Sequence, residues 1–210
     1  MIKQFFFDFK TNTKLDLNSF FVNNTNIEAF TLLVKKNDLN NIILIGPKKS
    51  GKSHLANIWK EQNNAVIYNN NFDKIISNND NILIDNLFEN LNEEKLFFLI
   101  NHCTSNNLKM LITSQIYLYE HNFQLKDLIS RLKTFNHINI EDPDDEILIN
   151  IMTKLLTEKQ IIIKNKEIFN FLLKRINRTY EEVYNLINKM DKLSLEKKKQ
   201  LTIPSIKELI

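Results

Sequence analysis

The sequence predicts an α/β fold, in which a doubly wound parallel sheet of five strands carries helices on both faces and a small all-helical domain follows. Three observations predict this fold. Short β-type runs alternate with helical stretches as far as residue 140, only helical patterns occur from residue 147 onwards, and a glycine-containing loop joins the first strand to a helix. Such alternation indicates parallel strands, because each crossover between them needs a helix.

Five apolar runs are expected to form the strands of the sheet. Each run is apolar on both sides, as parallel strands covered by helices must be. The segments 52–61 and 93–103 between the runs are long enough for crossover helices. The predicted strands are, in chain order, Ile42–Ile45, Ala65–Tyr68, Ile82–Asp85, Met110–Thr113 and His137–Ile140.

A polar break separates the predicted sheet from the helical region. The break carries four carboxylates, and either Asp144 or Asp145 can cap the helix that follows. The predicted helices of this region cover about 147–159, 165–175 and 179–192. We therefore divide the chain into a tail at 1–20, an α/β domain at 21–143 and a helical lid domain at 144–210.

The composition excludes several classes of protein. Lys and Arg number 28 against 25 Asp and Glu, and a net charge of +3 is too small to predict nucleic-acid or membrane binding by electrostatics alone. A single cysteine, Cys103, cannot form an internal disulfide and fits a reducing compartment. No run approaches the roughly 18 apolar residues of a membrane span. We expect a cytoplasmic protein without a membrane association.

Both glycines of the chain lie in one loop, after the first predicted strand and before a helical pattern. The loop reads Gly46, Pro47, Lys48, Lys49, Ser50, Gly51, Lys52, Ser53. This is the spacing of a P-loop, whose amide groups surround the phosphates of ATP or ADP. In such loops the lysine reaches the outer phosphates and the final hydroxyl is a ligand of Mg²⁺. The alternative is a surface turn with a coincidental lysine. A chance match is rare here, because the chain has only two glycines and both fall at the positions that the P-loop pattern requires.

Asp85 is a second candidate for the nucleotide site, because it ends the apolar run Ile82–Asp85. An aspartate at this point of a P-loop protein holds Mg²⁺ through water. Taken alone, the pattern also fits a helix cap or a turn. The phosphate loop upstream favours the metal role.

Several motifs resemble the DnaA-related AAA+ ATPases, and the resemblance covers residues 4–210. One strand lies between the phosphate loop and the Asp85 strand, and a helical lid follows, as in AAA+ proteins. More specific are Gly51–Leu55, Ile84–Asn86, Leu111–Ser114 and Asp127–Leu132. The stretches Phe171–Arg175 and Leu201–Pro204 are most similar to Hda-type regulatory inactivators of DnaA.

The resemblance implies further nucleotide contacts. Phe21 and Val22 lie in the segment that wraps adenine, His54 follows the phosphate loop, and Gln115 belongs to the first sensor. The lid arginine of DnaA relatives is replaced by Glu181, and Arg178, about one turn earlier, is the candidate substitute.

Intrinsic hydrolysis is expected to be weak. Residue 86 is acidic in DnaA and is Asn86 here, and an amide cannot accept a proton from water.

Two protein partners are also implied. Arg131 resembles the arginine finger that acts on a neighbour's nucleotide, although an exposed arginine in a local ion pair is the plain alternative. Gln4, Phe7 and Phe9 have the spacing of peptides that bind the DNA polymerase III sliding clamp (β subunit). An edge strand or a flap on the protein's own surface would explain the same residues.

We therefore expect a negative regulator of chromosomal replication initiation that binds ADP or ATP with Mg²⁺, contacts DnaA and the clamp, and promotes hydrolysis of DnaA-bound ATP. An autonomous AAA+ ATPase such as a helicase loader is one alternative, which Asn86 disfavours. A truncated DnaA-like initiator is another, disfavoured because the sequence ends at Ile210 without a helix-turn-helix. Direct sequence-specific DNA binding is not expected, and homo-oligomerisation is left open.

Overall fold

Five parallel strands form one sheet in the order β2-β3-β4-β1-β5. The computed structural model describes residues 17–69, 72–89, 92–161, 163, 167–197 and 206. The strands are β1 (Asn41–Ile45), β2 (Val66–Ile67), β3 (Ile82–Ile84), β4 (Met110–Ser114) and β5 (Asn136–Asn139). All four neighbouring pairs run parallel. The predicted five-stranded parallel sheet is confirmed.

Helices cover both faces of this sheet. They are α1 (Ile27–Phe30), which continues as a π-helical turn over Thr31–Lys36, then α2 (Lys52–Gln62), α3 (Phe72–Asn78), α4 (Glu93–Ser105) and α5 (Lys126–Leu132). On one face, Ile43 and Ile45 of β1 pack in a core with α3, α4 and α5. On the other face, Ile42 and Leu44 pack with α1 and α2. Alternate residues of one strand thus enter two different cores.

The outer strand β5 differs from its prediction. It was expected to be apolar on both sides, but Asn136, His137 and Asn139 are exposed and Ile138 is buried. The expectation is wrong because β5 is an edge strand, which the helices cover less fully than they cover β1 and β4. Helices α1 and α3 were also not predicted.

The helical region has its own apolar core. It contains α6 (Asp145–Glu158), α7 (Glu167–Leu173) and α8 (Tyr180–Lys197). The Asp144 carboxylate accepts a hydrogen bond from the Ile147 amide at 2.7 Å, as the predicted cap requires. Helix α8 extends five residues beyond its predicted end. None of the helices in the described part of the chain is long and apolar enough to span a membrane.

Tyr180 joins the helical region to the sheet. Its side chain is fully buried, its hydroxyl donates to the Glu141 carbonyl at 3.2 Å, and its oxygen lies 3.2 Å from Thr25 Oγ1. The Glu141 amide donates in turn to the Thr25 carbonyl at 3.0 Å. Burial raises the pKa of the Tyr180 hydroxyl. This contact holds the first turn of α8 beside the carboxyl edge of the sheet.

Tyr180→Phe is expected to lower the free energy of unfolding by about 1–2 kcal/mol, because it leaves buried polar partners unsatisfied. Urea denaturation followed by circular dichroism measures the change. Tyr119→Phe is the matched control, since Tyr119 is 81% exposed, and we expect it to stay within about 0.5 kcal/mol of the parent. An equal loss of unfolding free energy in the two variants would contradict a stabilising contact of Tyr180 between the helical region and the sheet.

Candidate functional site

A cleft of about 830 Å³ lies at the carboxyl ends of β1, β3 and β4, between the sheet and the helices α6 and α8. Parallel sheets bind ligands at this edge, because the loops that leave the strands converge there. Eight of the predicted site residues line the cleft: Lys48, Lys49, Gly51, Lys52, Ser53, His54, Asp85 and Gln115. The fold therefore brings together most of the residues that the motifs singled out.

The loop between β1 and α2 is shaped by its two glycines. Gly51 has φ +95°, a left-handed conformation that favours glycine. A side chain at Gly46 would meet Ile140 at 3.0 Å. Between them, the hydroxyl of Ser50 is buried and has no hydrogen-bond partner in the described part of the chain. The loop and the first turn of α2 thus form a cradle of the kind that binds phosphate at a helix N-terminus.

Lys52 supplies the buried charge of this cradle. Its side chain is mostly buried, and its ammonium donates to the carbonyls of Gly46 and Pro47, both at 2.7 Å. Burial lowers the pKa of Lys52 to about 8, although the nearby Asp85 carboxylate opposes the shift. A buried amine without a full counter-charge favours an anionic ligand, because a phosphate would restore the charged form.

Asp85 and Ser53 place two oxygen ligands side by side. The Ser53 hydroxyl donates to Asp85 Oδ1 at 3.2 Å, and the Thr113 hydroxyl donates to the same oxygen at 2.6 Å. Hydroxyl and carboxylate oxygens are ligands that Mg²⁺ accepts. The donor set therefore fits Mg²⁺ next to the phosphate cradle, with Ser53 and Asp85 as the residues that would hold it.

Helix α8 closes the cleft through two lysines of the loop. Lys48 Nζ lies 2.7 Å from Glu181 Oε1, and Lys49 Nζ lies 5.5 Å from the centre of the Tyr184 ring. Burial raises the pKa of the Tyr184 hydroxyl, and the Glu158 charge adds to the shift. Both partners of the lysines lie one turn apart on α8. The loop and the lid are thus in direct contact.

The predicted substitute for the lid arginine lies elsewhere. Arg178 does not line the cleft, and its Nε lies 3.1 Å from Asp145 Oδ1 in an exposed ion pair. Such a pair contributes little to stability. A nucleotide contact of Arg178 stays a prediction.

The segment before α1 approaches the loop through residues other than those predicted. Phe20 lies against Gly51, with a ring carbon 3.1 Å from the position of a Cβ there, and its ring meets His54 edge-on at 5.2 Å. Ser19 lines the cleft, whereas Phe21 and Val22 do not. Adenine contacts of Phe21 and Val22 therefore stay predictions.

Four lid residues at the cleft were missed by the sequence reasoning: Lys154, Leu155, Glu158 and Tyr184. Their helical spacing is visible in the sequence, but it does not tell which side of the helix meets the sheet. Gly46 and Pro47 line a neighbouring cleft of about 500 Å³.

Arg131 lies outside the cleft. It occupies the last turn of α5, is exposed, and makes no side-chain hydrogen bond or ion pair with another described residue. Gln4, Phe7 and Phe9 lie outside the residues that the structure describes.

ADP affinity is expected to fall as the pH rises above about 8. A bound phosphate favours charged Lys52 and raises its pKa above the value of about 8 in the free protein. Between these two pKa values binding takes up a proton, so affinity falls by up to about tenfold per pH unit.

Calorimetric titration between pH 7 and pH 9.5 measures this dependence. Lys52→Arg is the control, because a guanidinium stays charged over the whole range. The arginine variant should lose less affinity with pH, and identical slopes in the two proteins would argue against a buried, titrating Lys52 at the phosphates.

Comparisons with known proteins agree with the family that the motifs indicate. Residues 148–210 match the family model of the Hda lid domain. The chain is 24% identical to the chromosomal replication initiator protein DnaA of Buchnera aphidicola subsp. Cinara cedri, in a match that covers 99% of this chain and 55% of the relative. The chain thus spans about half the length of that curated relative.

Solved structures share the fold. Domain III of the replication initiation protein DnaA from Thermotoga maritima has a TM-score of 0.73 at 18% identity, over 95% of this chain and 96% of that one. AMPPCP-bound DnaA from Aquifex aeolicus has a TM-score of 0.66 at 18% identity, over 87% of this chain and 66% of that one. A RuvB structure from Thermotoga maritima has a TM-score of 0.62 at 16% identity, over 87% of this chain and 65% of that one.

Proposed function

We propose that this chain, a Hda- and DnaA-related AAA+ protein of the replication initiation family, is a nucleotide-binding regulator that promotes hydrolysis of DnaA-bound ATP. One observation carries the proposal. The arginine that the motif marks as a finger lies exposed outside the chain's own cleft, and its guanidinium pairs with no other described residue. An arginine in this position is available to a second molecule.

The proposal begins with ADP or ATP and Mg²⁺ in the cleft. Lys52 would neutralise the outer phosphates, and the amide groups at the start of α2 would donate to their oxygens. Ser53 and Asp85 would hold Mg²⁺, which would supply positive charge to offset that of the phosphates. A DnaA relative with the same fold is bound to AMPPCP, which supports an adenine nucleotide here.

The role of Arg131 as a finger in trans is supported by the rigid attachment of its helix, α5, to the core. Leu128 and Leu132 of the same helix are fully buried in the core beneath the sheet. They fix α5, and with it the backbone of Arg131, while the guanidinium stays in solvent. A preorganised guanidinium can stabilise the charge that develops on a transferring γ-phosphoryl group, and such fingers contribute about 10³–10⁵ in rate.

Clamp binding is the second part of the proposal, and it rests on sequence spacing. In an extended tail, alternate residues face one side, so Phe7 and Phe9 can enter a pocket together while the Gln4 amide fixes the register. Attachment to the sliding clamp would bring Arg131 to DnaA during replication.

Arg131→Ala is expected to keep its own nucleotide and its clamp binding but to lose stimulation of DnaA. The assay is conversion of DnaA-bound ATP to ADP in the presence of clamp loaded on DNA. Lysine should rescue poorly, because a point charge lacks the planar fork that grips two oxygens.

Arg175→Ala is the matched control for this assay, because Arg175 is also exposed but stacks on Phe171, with 3.8 Å between its guanidinium carbon and the ring centre. We expect this variant to stimulate DnaA normally. Full stimulation by the Arg131→Ala protein would refute the finger in trans.

Removing the tail anchors is expected to weaken clamp binding strongly. Buried aromatic anchors contribute about 2 kcal/mol or more, which corresponds to roughly a thirtyfold loss of affinity for each. Surface plasmon resonance compares the parent chain with Gln4→Ala and with the Phe7→Ala/Phe9→Ala pair. Phe6→Ala is the neighbouring control and should bind normally, because in an extended tail Phe6 faces the side opposite to Phe7 and Phe9. Equal clamp affinity in all four proteins would leave the tail without this role.

A further inference from the structure

Three side chains form a hydrogen-bonded chain across the cleft beside Asp85. The Gln115 amide nitrogen lies 3.5 Å from Asn86 Oδ1, and the Asn86 amide nitrogen donates to Glu89 Oε2 at 2.9 Å. All three residues line the cleft. With its oxygen towards Gln115, the Asn86 amide points its N–H groups at the Glu89 carboxylate.

The backbone that carries Asn86 and Glu89 is held by hydrogen bonds to β4. The backbone N–H of Asn86 donates to Thr113 Oγ1 at 2.7 Å, and the backbone N–H of Leu87 donates to the Thr113 carbonyl at 2.8 Å. The Glu89 amide closes a turn on the Asn86 carbonyl at 3.0 Å. Asn86 itself has φ 60°, a left-handed conformation that asparagine tolerates. Glu89 therefore extends from a turn that two strands hold in place.

The two carboxylates at this end of the cleft have different surroundings. Asp85 accepts from the Ser53 and Thr113 hydroxyls, at the place where Mg²⁺ fits. Glu89 is exposed to the cleft and accepts from the amide of Asn86. An ionised carboxylate has about four acceptor sites, so Glu89 can still accept a hydrogen bond from water. A neutral amide partner orients the carboxylate without removing its charge.

We propose that Glu89 is the base for the slow hydrolysis of ATP in this chain's own cleft, with Asn86 and Gln115 as positioning residues. The inference rests on the proposed nucleotide binding. Glu89 orients a water molecule and accepts its proton while the water oxygen forms a bond to the γ-phosphorus. The bond from that phosphorus to the bridging oxygen breaks, and ADP leaves with the electron pair. The products are ADP and phosphate, and Glu89 returns the proton to solvent.

This assignment revises the expectation that Asn86 leaves the cleft without a base. The amide at position 86 cannot accept the proton, but it directs a carboxylate three residues further along the chain. Because Glu89 is exposed, bulk water competes for its oxygens, and we expect turnover well below 1 s⁻¹.

Single-turnover hydrolysis tests the role of Glu89. Glu89→Gln is expected to slow the reaction at least tenfold, since general bases contribute roughly 10²–10⁴ in rate. Glu94→Gln, which removes an exposed carboxylate on α4, is the matched control and should react at the parent rate. An unchanged rate in Glu89→Gln, or a parent protein that binds ATP without hydrolysing it, overturns the proposal.

Nucleotide affinity gives an independent readout. Calorimetry on Glu89→Gln should show the ratio of ATP to ADP affinity rising about threefold or more, because a negative charge near the γ-phosphate is removed. An unchanged ratio would place Glu89 away from the γ-phosphate and overturn the assignment. If the parent protein binds neither nucleotide, the proposed nucleotide binding is wrong, and the role of Glu89 that rests on it is wrong as well.

The positioning role of Asn86 has its own test. Asn86→Gly keeps the left-handed turn but removes the amide that orients Glu89. We expect the single-turnover rate to fall about tenfold while ATP affinity stays within about twofold of the parent. A rate equal to that of the parent would show that Glu89 does not depend on Asn86.

Discussion

The loop between β1 and α2 contains three lysines within five residues, and their charges are held by contacts within the loop and with α8. Each lysine has a different partner: Glu181 for Lys48, the Tyr184 ring for Lys49, and two carbonyls of the loop for Lys52. Two of these partners belong to α8. Like charges so close together repel one another. The contacts of Lys48 and Lys49 with α8 reduce this repulsion, and the same contacts close the cleft.

Thr113 is the second centre of the site, because its hydroxyl serves two neighbours. It donates to the Asp85 carboxylate and accepts from the backbone N–H of Asn86. Through the first contact it holds the carboxylate that fits Mg²⁺, and through the second it holds the turn that carries Glu89. A single side chain of β4 therefore fixes both the Asp85 carboxylate and the turn that leads to Glu89. Such sharing keeps both groups in place before a ligand binds.

The sequence predicted what depends on local pattern. The five parallel strands, the Asp144 cap and the relationship to Hda- and DnaA-related proteins are confirmed, because each depends on a short stretch of residues. Phosphate binding by the loop at residues 46–53 stays a prediction. The edge position of β5 and the ion pair between Lys48 and Glu181 were not predictable in this way. Both depend on packing between distant segments, and Lys48 and Glu181 are 133 residues apart. The resemblance even implied an arginine at the lid position that Glu181 occupies.

We infer that the cleft binds the phosphates of a nucleotide through Lys52. Calorimetric titration with ADP and Mg²⁺, on the parent chain and on Lys52→Ala, tests it most directly. Lys60→Ala is the control, because Lys60 lies on the same helix outside the cleft and pairs with Glu61 at 2.8 Å. We expect the parent and the control to bind ADP, and a folded Lys52→Ala protein to lose about a hundredfold or more in affinity. Equal ADP affinity in all three proteins would show that Lys52 does not bind the phosphates.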